Sequence, residues 1–231
     1  MSLEAADRGW RGLYRVAAWA AVLSAVFVPI QVAVFFVKPL PETVLEWFAL
    51  FQDNVLVGLI DLDLLLVADN VLLIAIMLAL YVALRRVSPS VAVLALAAGL
   101  AGIVLFVSSN TAFEMLSLSD KHAAAASGVE RALYVAAGEM ALATWQGSAF
   151  KVAYLLGSFA GIAISALMLP SSAFGRWPGW LGILANVVGL ALFVPVVGIY
   201  IAVFSVLFLW VWYMLLARAF FRLGRRGAQT T

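Results

Sequence analysis

The sequence lacks cysteine altogether and contains a single histidine, His122. Without cysteine, the chain has no disulfide, no thiol nucleophile, no cysteine-bound zinc site and no iron–sulfur cluster. One histidine excludes a haem held by two histidines of the chain and a metal site built from three. Glycine-rich phosphate loops with their lysine are also missing, which excludes an ATPase. We therefore expect neither a cofactor nor a metal ion.

Charged residues are also scarce: they make up 11% of the 231 residues, whereas hydrophobic residues make up 66%. A soluble domain usually carries about 25% charged residues, so this chain has too few to cover a surface in water. Most of its surface must face lipid, which makes membrane lipid its first expected partner. The net charge of +2 fits arginine at cytoplasmic membrane boundaries, and we expect no nucleic acid partner.

Long apolar runs account for most of the chain. A helix needs about 20 apolar residues to cross ~30 Å of hydrocarbon, because each residue rises ~1.5 Å. The sequence therefore predicts an all-α, polytopic membrane protein. It forms one integral membrane domain, residues 1–231, built as a bundle of six transmembrane helices. The predicted spans are residues 14–37, 62–84, 91–113, 150–169, 179–194 and 199–220.

Two segments between the predicted spans are too polar to cross a membrane: residues 42–60 and 119–147. The first carries aromatic residues against Glu42 and Glu46. The second places apolar residues at helical spacing among charged ones, and these apolar residues are Leu133, Ala136, Ala137 and Met140. We interpret both segments as amphipathic helices that lie on the outer surface of the membrane.

Arginine is distributed unevenly between the two ends of the spans. If the N-terminus lies in the cytoplasm, every arginine except Arg131 falls on the cytoplasmic side. Cytoplasmic loops of membrane proteins carry an excess of arginine and lysine. We therefore predict a multi-pass protein with both termini in the cytoplasm and with the segments 42–60 and 119–147 on the outer side.

Asp69 is the residue that fits an apolar span least well. It lies ~9–12 Å deeper than Asp61 and Asp63 at the outer end of the second span. A charged aspartate at the centre of a span costs about 2.5–3.5 kcal/mol on insertion scales. Asp69 must therefore be protonated, paired or in contact with a wet cavity. It is either a proton- or ligand-binding group or a structural hydrogen bond across the bundle.

Other polar side chains lie within or at the ends of the spans. Amides in such places commonly bond one helix to another, and if they converge with Asp69 they line a polar pocket in the outer half of the bundle. Acidic residues near the outer face form a cluster, although charge bias alone accounts for acids on that side. The candidate ligand-binding residues are Gln31, Asp61, Asp63, Asp69, Asn70, Asn110, Glu114 and Asn186.

A stripe of small residues runs along the fourth predicted span. It consists of Ala153, Gly157, Gly161 and Ser165, which recur at every fourth position. Small residues at this spacing let a second helix approach closely. The stripe predicts either packing within the bundle or a face for a homo-oligomer.

Several short stretches resemble, in the same order, those of a bacterial membrane family. They are Leu50-Phe51 through Asn54, Gly58 to Leu65, Leu78 to Tyr81, Ser109 to Ser119 and Leu181 to Ile183. They are similar to the family catalogued as domain of unknown function 4386, over nearly the whole chain. The resemblance implies a six-helix protein of the bacterial inner membrane, and it implies no activity and no catalytic residue. Asp69 and Asn70 depart from the apolar pattern that it implies.

Three hypotheses about function remain open from the sequence. The first is a membrane protein that binds or transports a small or lipophilic ligand in a pocket in the outer half of the bundle. The second is a structural or accessory protein that acts through helix packing or partner contacts without chemistry of its own. The third, an intramembrane enzyme, has the least support, because the chain has no cysteine, one histidine and no nucleophile motif.

Overall fold

The structure, a computed structural model, describes residues 9–37, 40–195 and 198–225. These residues form ten α-helices and one short 3-10 helix, and they contain no strand. The helices are α1 (Arg11–Val37), α2 (Val44–Asp53), α3 (Val55–Asp61), α4 (Leu64–Leu84), α5 (Pro89–Ser109), α6 (Ala112–Ala124), α7 (Gly128–Trp145), α8 (Ser148–Met168), α9 (Arg176–Gly189) and α10 (Gly198–Arg225), with the 3-10 helix at Leu190–Phe193.

Six stretches of helix are long and apolar enough to cross a membrane. They are most of α1, the whole of α4, α5 together with α6, α7 together with α8, α9 with the 3-10 helix, and most of α10. Large apolar side chains point away from the protein on these helices; Trp19, Leu94 and Val104 are each more than half exposed. Such side chains are stable in lipid and not in water. The prediction of an all-α bundle with six spans is confirmed.

Two helices end at residues other than those predicted, one of them earlier and the other later. The third span was predicted to reach residue 113, but α5 ends at Ser109 because Asn110 takes an extended conformation. The final helix continues past the apolar run to Arg225, since basic residues are good helix formers and favour the last turn. Hydropathy locates the apolar core of a helix and not its polar ends.

The bundle has one hydrophobic core, in which α1 packs on α4 and α10, α5 packs on α8, and α9 packs on α8 and α10. Alanines on α1, among them Ala17 and Ala21, are fully buried. Small residues of this kind let neighbouring helices approach closely. Close approach increases van der Waals contact, which stabilises helix association in lipid, where the hydrophobic effect does not.

The small-residue stripe is used mainly inside this bundle. A Cβ atom at Gly102 of α5 would lie 3.0 Å from the carbonyl oxygen of Ala153 and 3.2 Å from the backbone nitrogen of Gly157. Gly161 lies under the Asn186 side chain of α9, and Ser165 is fully buried. The Cβ position of Gly157 faces open space, so a homo-oligomer through the stripe stays a prediction that rests on Gly157.

A second hydrophobic core lies outside the bundle, among α2, α3, α6 and α7, which we call the cap. Its buried residues are Val44, Trp47, Phe48, Leu50, Phe51, Leu62, Ala112, Met115, Ala141 and Trp145. Gln52 of α2 donates to Ser119 Oγ of α6 over 3.0 Å, and that hydroxyl donates to the Phe48 carbonyl over 2.9 Å. The predicted surface segments are helical as expected, but their apolar faces pack on each other.

The buried face of α7 differs from the one that its apolar residues predict. Leu133 and Met140 are 64% and 69% exposed, whereas Gly138 and Trp145 are buried. A Cβ atom at Gly138 would lie only 2.5 Å from Val44 Cγ1. The glycine therefore brings α7 against α2, and a close approach of this kind leaves no apolar signal in the sequence.

Candidate functional site

The turn Asp61-Leu62-Asp63 joins the cap to the bundle, because α3 ends at Asp61 and α4 begins at Leu64. Asp63 has φ 64° and ψ 23°, the left-handed conformation, and among the described residues no other non-glycine residue has a positive φ. Aspartate tolerates this conformation better than most residues, at a cost of ~1–2 kcal/mol. Both carboxylates are buried: Asp61 is 1% exposed and Asp63 is 7% exposed.

Three side chains from different parts of the fold hold this turn in place: one on α1, one at the end of α5 and one at the end of α7. Gln31 of α1 donates to the Ile60 carbonyl over 3.1 Å, and Asn110 donates to the Leu62 carbonyl over 2.5 Å. Trp145, the last residue of α7, donates through Nε1 to Asp63 Oδ2 over 2.7 Å. Four of the predicted site residues, Gln31, Asp61, Asp63 and Asn110, therefore meet at one turn. Trp145 was not predicted, since nothing in its own segment marks it as a carboxylate partner.

The electrostatics of the turn follow from its burial. Burial raises the pKa of Asp63 to about 6; the bond from Trp145 opposes this rise, and the neighbouring charge of Asp61 adds to it. Tyr154 of α8 also lies within electrostatic range of Asp63. The turn can therefore gain or lose a proton near neutral pH while it connects the cap to the bundle.

Asp69 belongs to a separate site inside the bundle. It is 6% exposed, and its Oδ2 accepts a hydrogen bond of 3.1 Å from the Tyr213 hydroxyl of α10. The Ser24 hydroxyl of α1 lies beside both groups. Asp69 Oδ1 is buried without a hydrogen-bond partner among the described residues. Tyr213 and Ser24 were not predicted, because a tyrosine or serine in an apolar span gives no distinct signal.

Asn70 and Asn186 do not join Asp69. Each donates to the carbonyl four residues earlier in its own helix, Asn70 to Leu66 over 2.9 Å and Asn186 to Gly182 over 2.7 Å. Among the described residues, no hydrogen bond joins either amide to Asp69. The polar side chains therefore form two sites, one at the turn and one at Asp69, and they do not line a single pocket.

Two further buried polar atoms lie near the Asp69 site, one on α8 and one on α10. Ser165 Oγ and Trp212 Nε1 have no hydrogen-bond partner in the described part of the chain. Both approach Gly182 of α9, where a Cβ atom would lie 2.6 Å from Trp212 Nε1 and closer still to Ser165 Oγ. The Trp212 ring is also 5.7 Å from that of Tyr213. Gly182 thus allows α8, α9 and α10 to meet beside the Asp69 site.

An open groove of about 690 Å³ lies between α6 and α7 on the outside of the cap. Its lining mixes apolar and charged groups, among them Asn110, Phe113, Glu114, Lys121, Ala137 and Met140. Two of these were predicted as site residues, and Asn110 also belongs to the turn. Glu114 and Lys121 are seven residues apart on α6, which places them on one face ~10 Å apart. In the described ranges no group of three acidic or histidine side chains could hold a metal ion.

No family model, no curated protein and no solved structure matches this chain. The resemblance to a bacterial membrane family therefore stays a prediction. One of the stretches that carry it, Ser109 to Ser119, contains the end of α5, the break at Asn110 and the wall of the groove formed by α6.

Proposed function

We propose that this integral membrane protein binds a zwitterionic amphiphile, a phospholipid-like molecule, in the groove between α6 and α7. The observation that carries the proposal is the lining of the groove, in which exposed apolar side chains lie beside one acidic and one basic side chain. Phe113 and Met140 are 60% and 69% exposed. Apolar side chains of this size are stabilised when an acyl chain covers them.

The charges in the groove fit a zwitterionic head group. Glu114 is placed to attract an ammonium group, and Lys121 is placed to attract a phosphate two turns away on the same face of α6. A head group with a single negative charge would be attracted by Lys121 and repelled by Glu114. The pair therefore favours a molecule that carries both signs of charge.

The position of the groove also favours a membrane amphiphile. The groove begins at Ser108 and Asn110, where α5 ends, so it starts at the boundary of a span. Val104, one turn below Ser108 on α5, and Val107, next to Ser108, are both exposed. An acyl chain can thus run along α5 while its head group reaches the groove.

The arginine distribution supports the orientation within this proposal. With both termini in the cytoplasm, the cap and its groove lie on the outer side of the membrane. In a bacterium, which the family resemblance implies, this is the inner membrane and the groove faces the periplasmic leaflet. The proposal is for binding, and any transport would begin from this bound state.

Binding is tested on purified protein by native mass spectrometry with phosphatidylethanolamine, phosphatidylglycerol and an uncharged diacylglycerol. We expect phosphatidylethanolamine to bind best, and Glu114→Gln and Lys121→Gln each to weaken it by up to about fivefold, since an exposed charge contact contributes up to ~1 kcal/mol. The matched controls are Glu139→Gln and Lys151→Gln, whose side chains are exposed outside the groove. Equal binding by all four variants would contradict the proposal.

An accessory role through partner contacts is the second candidate. Apolar residues on the outer face of α7 favour it, because Val129 and Leu133 are 74% and 64% exposed and neither lines the groove. If Leu133→Glu leaves amphiphile binding unchanged and the groove variants weaken it, Val129 and Leu133 play no part in binding. If the groove variants bind the amphiphile as the wild type does, and Leu133→Glu instead disrupts a complex with a partner protein, the accessory role replaces the first proposal.

A further inference from the structure

The Asp69 site is built from three helices and lies apart from the groove. Asp69 comes from α4, Tyr213 from α10 and Ser24 from α1, and all three side chains are buried. Tyr213 donates to one carboxyl oxygen, and the other oxygen, Oδ1, is buried without a partner in the described residues. Ser24 Oγ is fully buried there as well, and it too has no hydrogen-bond partner among them.

The described helices around Asp69 carry almost no charge. The remainder of α4 carries no charge, nor does α5, nor does α1 from Val16 onward, nor does α10 from Gly198 to Ala217. On α8 the only charged residue is Lys151, near the start of the helix. Tyr154, one turn further along α8, lies within electrostatic range of Asp63 and so belongs to the turn. The groups that face Asp69 are thus two hydroxyls, from Ser24 and Tyr213.

A carboxylate is poorly stabilised in this arrangement, because at most two hydroxyls donate to it and the helices around it provide no cation to balance its charge. An uncompensated charge of this kind inside a span is costly. A carboxylic acid needs no counter-charge: Oδ2 accepts from Tyr213, and an O–H at Oδ1 can donate to the nearby Ser24 hydroxyl. The Ser24 hydroxyl can still donate to the carbonyl four residues earlier in α1, as serine often does in helices.

We propose that Asp69 is a proton-binding site, in which the bound proton joins α4 to α1 while Tyr213 joins α4 to α10. Loss of the proton leaves a buried charge without a counter-ion, and we expect water to enter and open the contact between these helices. Proton occupancy is therefore coupled to the packing of the bundle. The inference does not depend on the groove or on its ligand.

Infrared spectroscopy of the purified protein in bilayers tests this proposal through the C=O stretch of a protonated carboxyl group. We expect a carboxylic acid band that persists across the neutral pH range, shifts on deuteration, and disappears in Asp69→Asn. Tyr213→Phe and Ser24→Ala should each shift the band, since each removes one of its hydrogen bonds. The control Asp63→Asn, at a second buried carboxyl group, should leave the Asp69 band in place.

Two results would overturn the proposal. One is a wild-type spectrum at neutral pH without a carboxylic acid band, and the other is a band that remains in Asp69→Asn. If Asp69→Asn does not fold, the shifts in Tyr213→Phe and Ser24→Ala decide, and a band that neither variant moves would also overturn it. Failure of amphiphile binding would leave these results unchanged, so the two proposals are tested separately.

Discussion

Trp145 Nε1 donates to Asp63 Oδ2 over 2.7 Å, and this bond joins the end of α7 to the residue before α4. The two residues are 82 positions apart in the sequence. Trp145 also packs edge-on against Trp47 of α2, with ring centroids 5.9 Å apart. One side chain thus belongs both to the core of the cap and to the turn that connects the cap to the bundle.

Replacement of Trp145 by phenylalanine should destabilise the cap. Trp145→Phe keeps an aromatic ring against Trp47 but removes the donor to a buried carboxyl group, which costs about 1–3 kcal/mol. Thermal unfolding followed by circular dichroism in detergent measures the change. Trp177→Phe, at a site 78% exposed, is the control and should leave the midpoint within error. Equal midpoints for the two variants would show that the bond contributes nothing.

Stability should fall as the pH rises through the range in which Asp63 ionises. Its pKa is about 6 in the folded protein against 3.8 for the free side chain. A raised folded pKa stabilises the protein fully below pH 3.8, and this stabilisation is lost as the pH rises through about 6. The difference amounts to about 3 kcal/mol.

Chemical denaturation at a series of pH values measures this dependence. Asp63→Asn should remove the part of the slope that lies between the two pKa values, since an amide does not titrate. Trp145→Phe should move the loss to higher pH, because the Trp145 bond favours the charged form of Asp63. A slope in Asp63→Asn as steep as in the wild type would assign the dependence to another group.

The bundle could be predicted from the sequence because each span is marked by its own residues. A run of about 20 apolar residues is most stable as a helix that spans a membrane. The burial of Asp69 followed from the same runs. Its partners could not be predicted, because Tyr213 lies 144 positions away and neither tyrosine nor serine is rare in spans.

The cap shows where prediction from local pattern ends. Its helices were predicted from their mixed composition, but the helix contacts depend on residues without large side chains, such as Gly138 and Ala141. A glycine or alanine allows two helices to pack closely, but it gives no signal in the sequence that shows where they do so. The meeting of Gln31 and Asn110 at one turn likewise depends on tertiary structure, since each bonds to a backbone carbonyl that any residue could supply.

Substitution of Asp69 should separate its hydrogen bonds from its charge. Asp69→Asn can still accept from Tyr213 and donate to Ser24, so we expect a change in the free energy of unfolding below about 1 kcal/mol. Asp69→Leu removes both bonds and leaves Tyr213 buried without an acceptor, at about 1–3 kcal/mol. Thermal unfolding of both variants in one detergent measures the difference. A more stable Asp69→Leu would show that the bonds contribute no net stability.

Addition of one methyl group at Gly182 should disturb the contact among α8, α9 and α10. The new Cβ atom would overlap Ser165 Oγ and approach Trp212 Nε1 to 2.6 Å, and Trp212 is a large ring 4% exposed, so it has little room to move. Overpacking of this kind costs about 1–3 kcal/mol. Gly157→Ala, on α8 where the Cβ position faces open space, is the matched control and should be neutral or slightly stabilising, because alanine favours helix.

Thermal unfolding measures the stability of both variants, and light scattering measures their oligomeric state. If Gly157→Ala proves the more damaging of the two and changes the oligomeric state, the stripe of small residues serves an interface between chains.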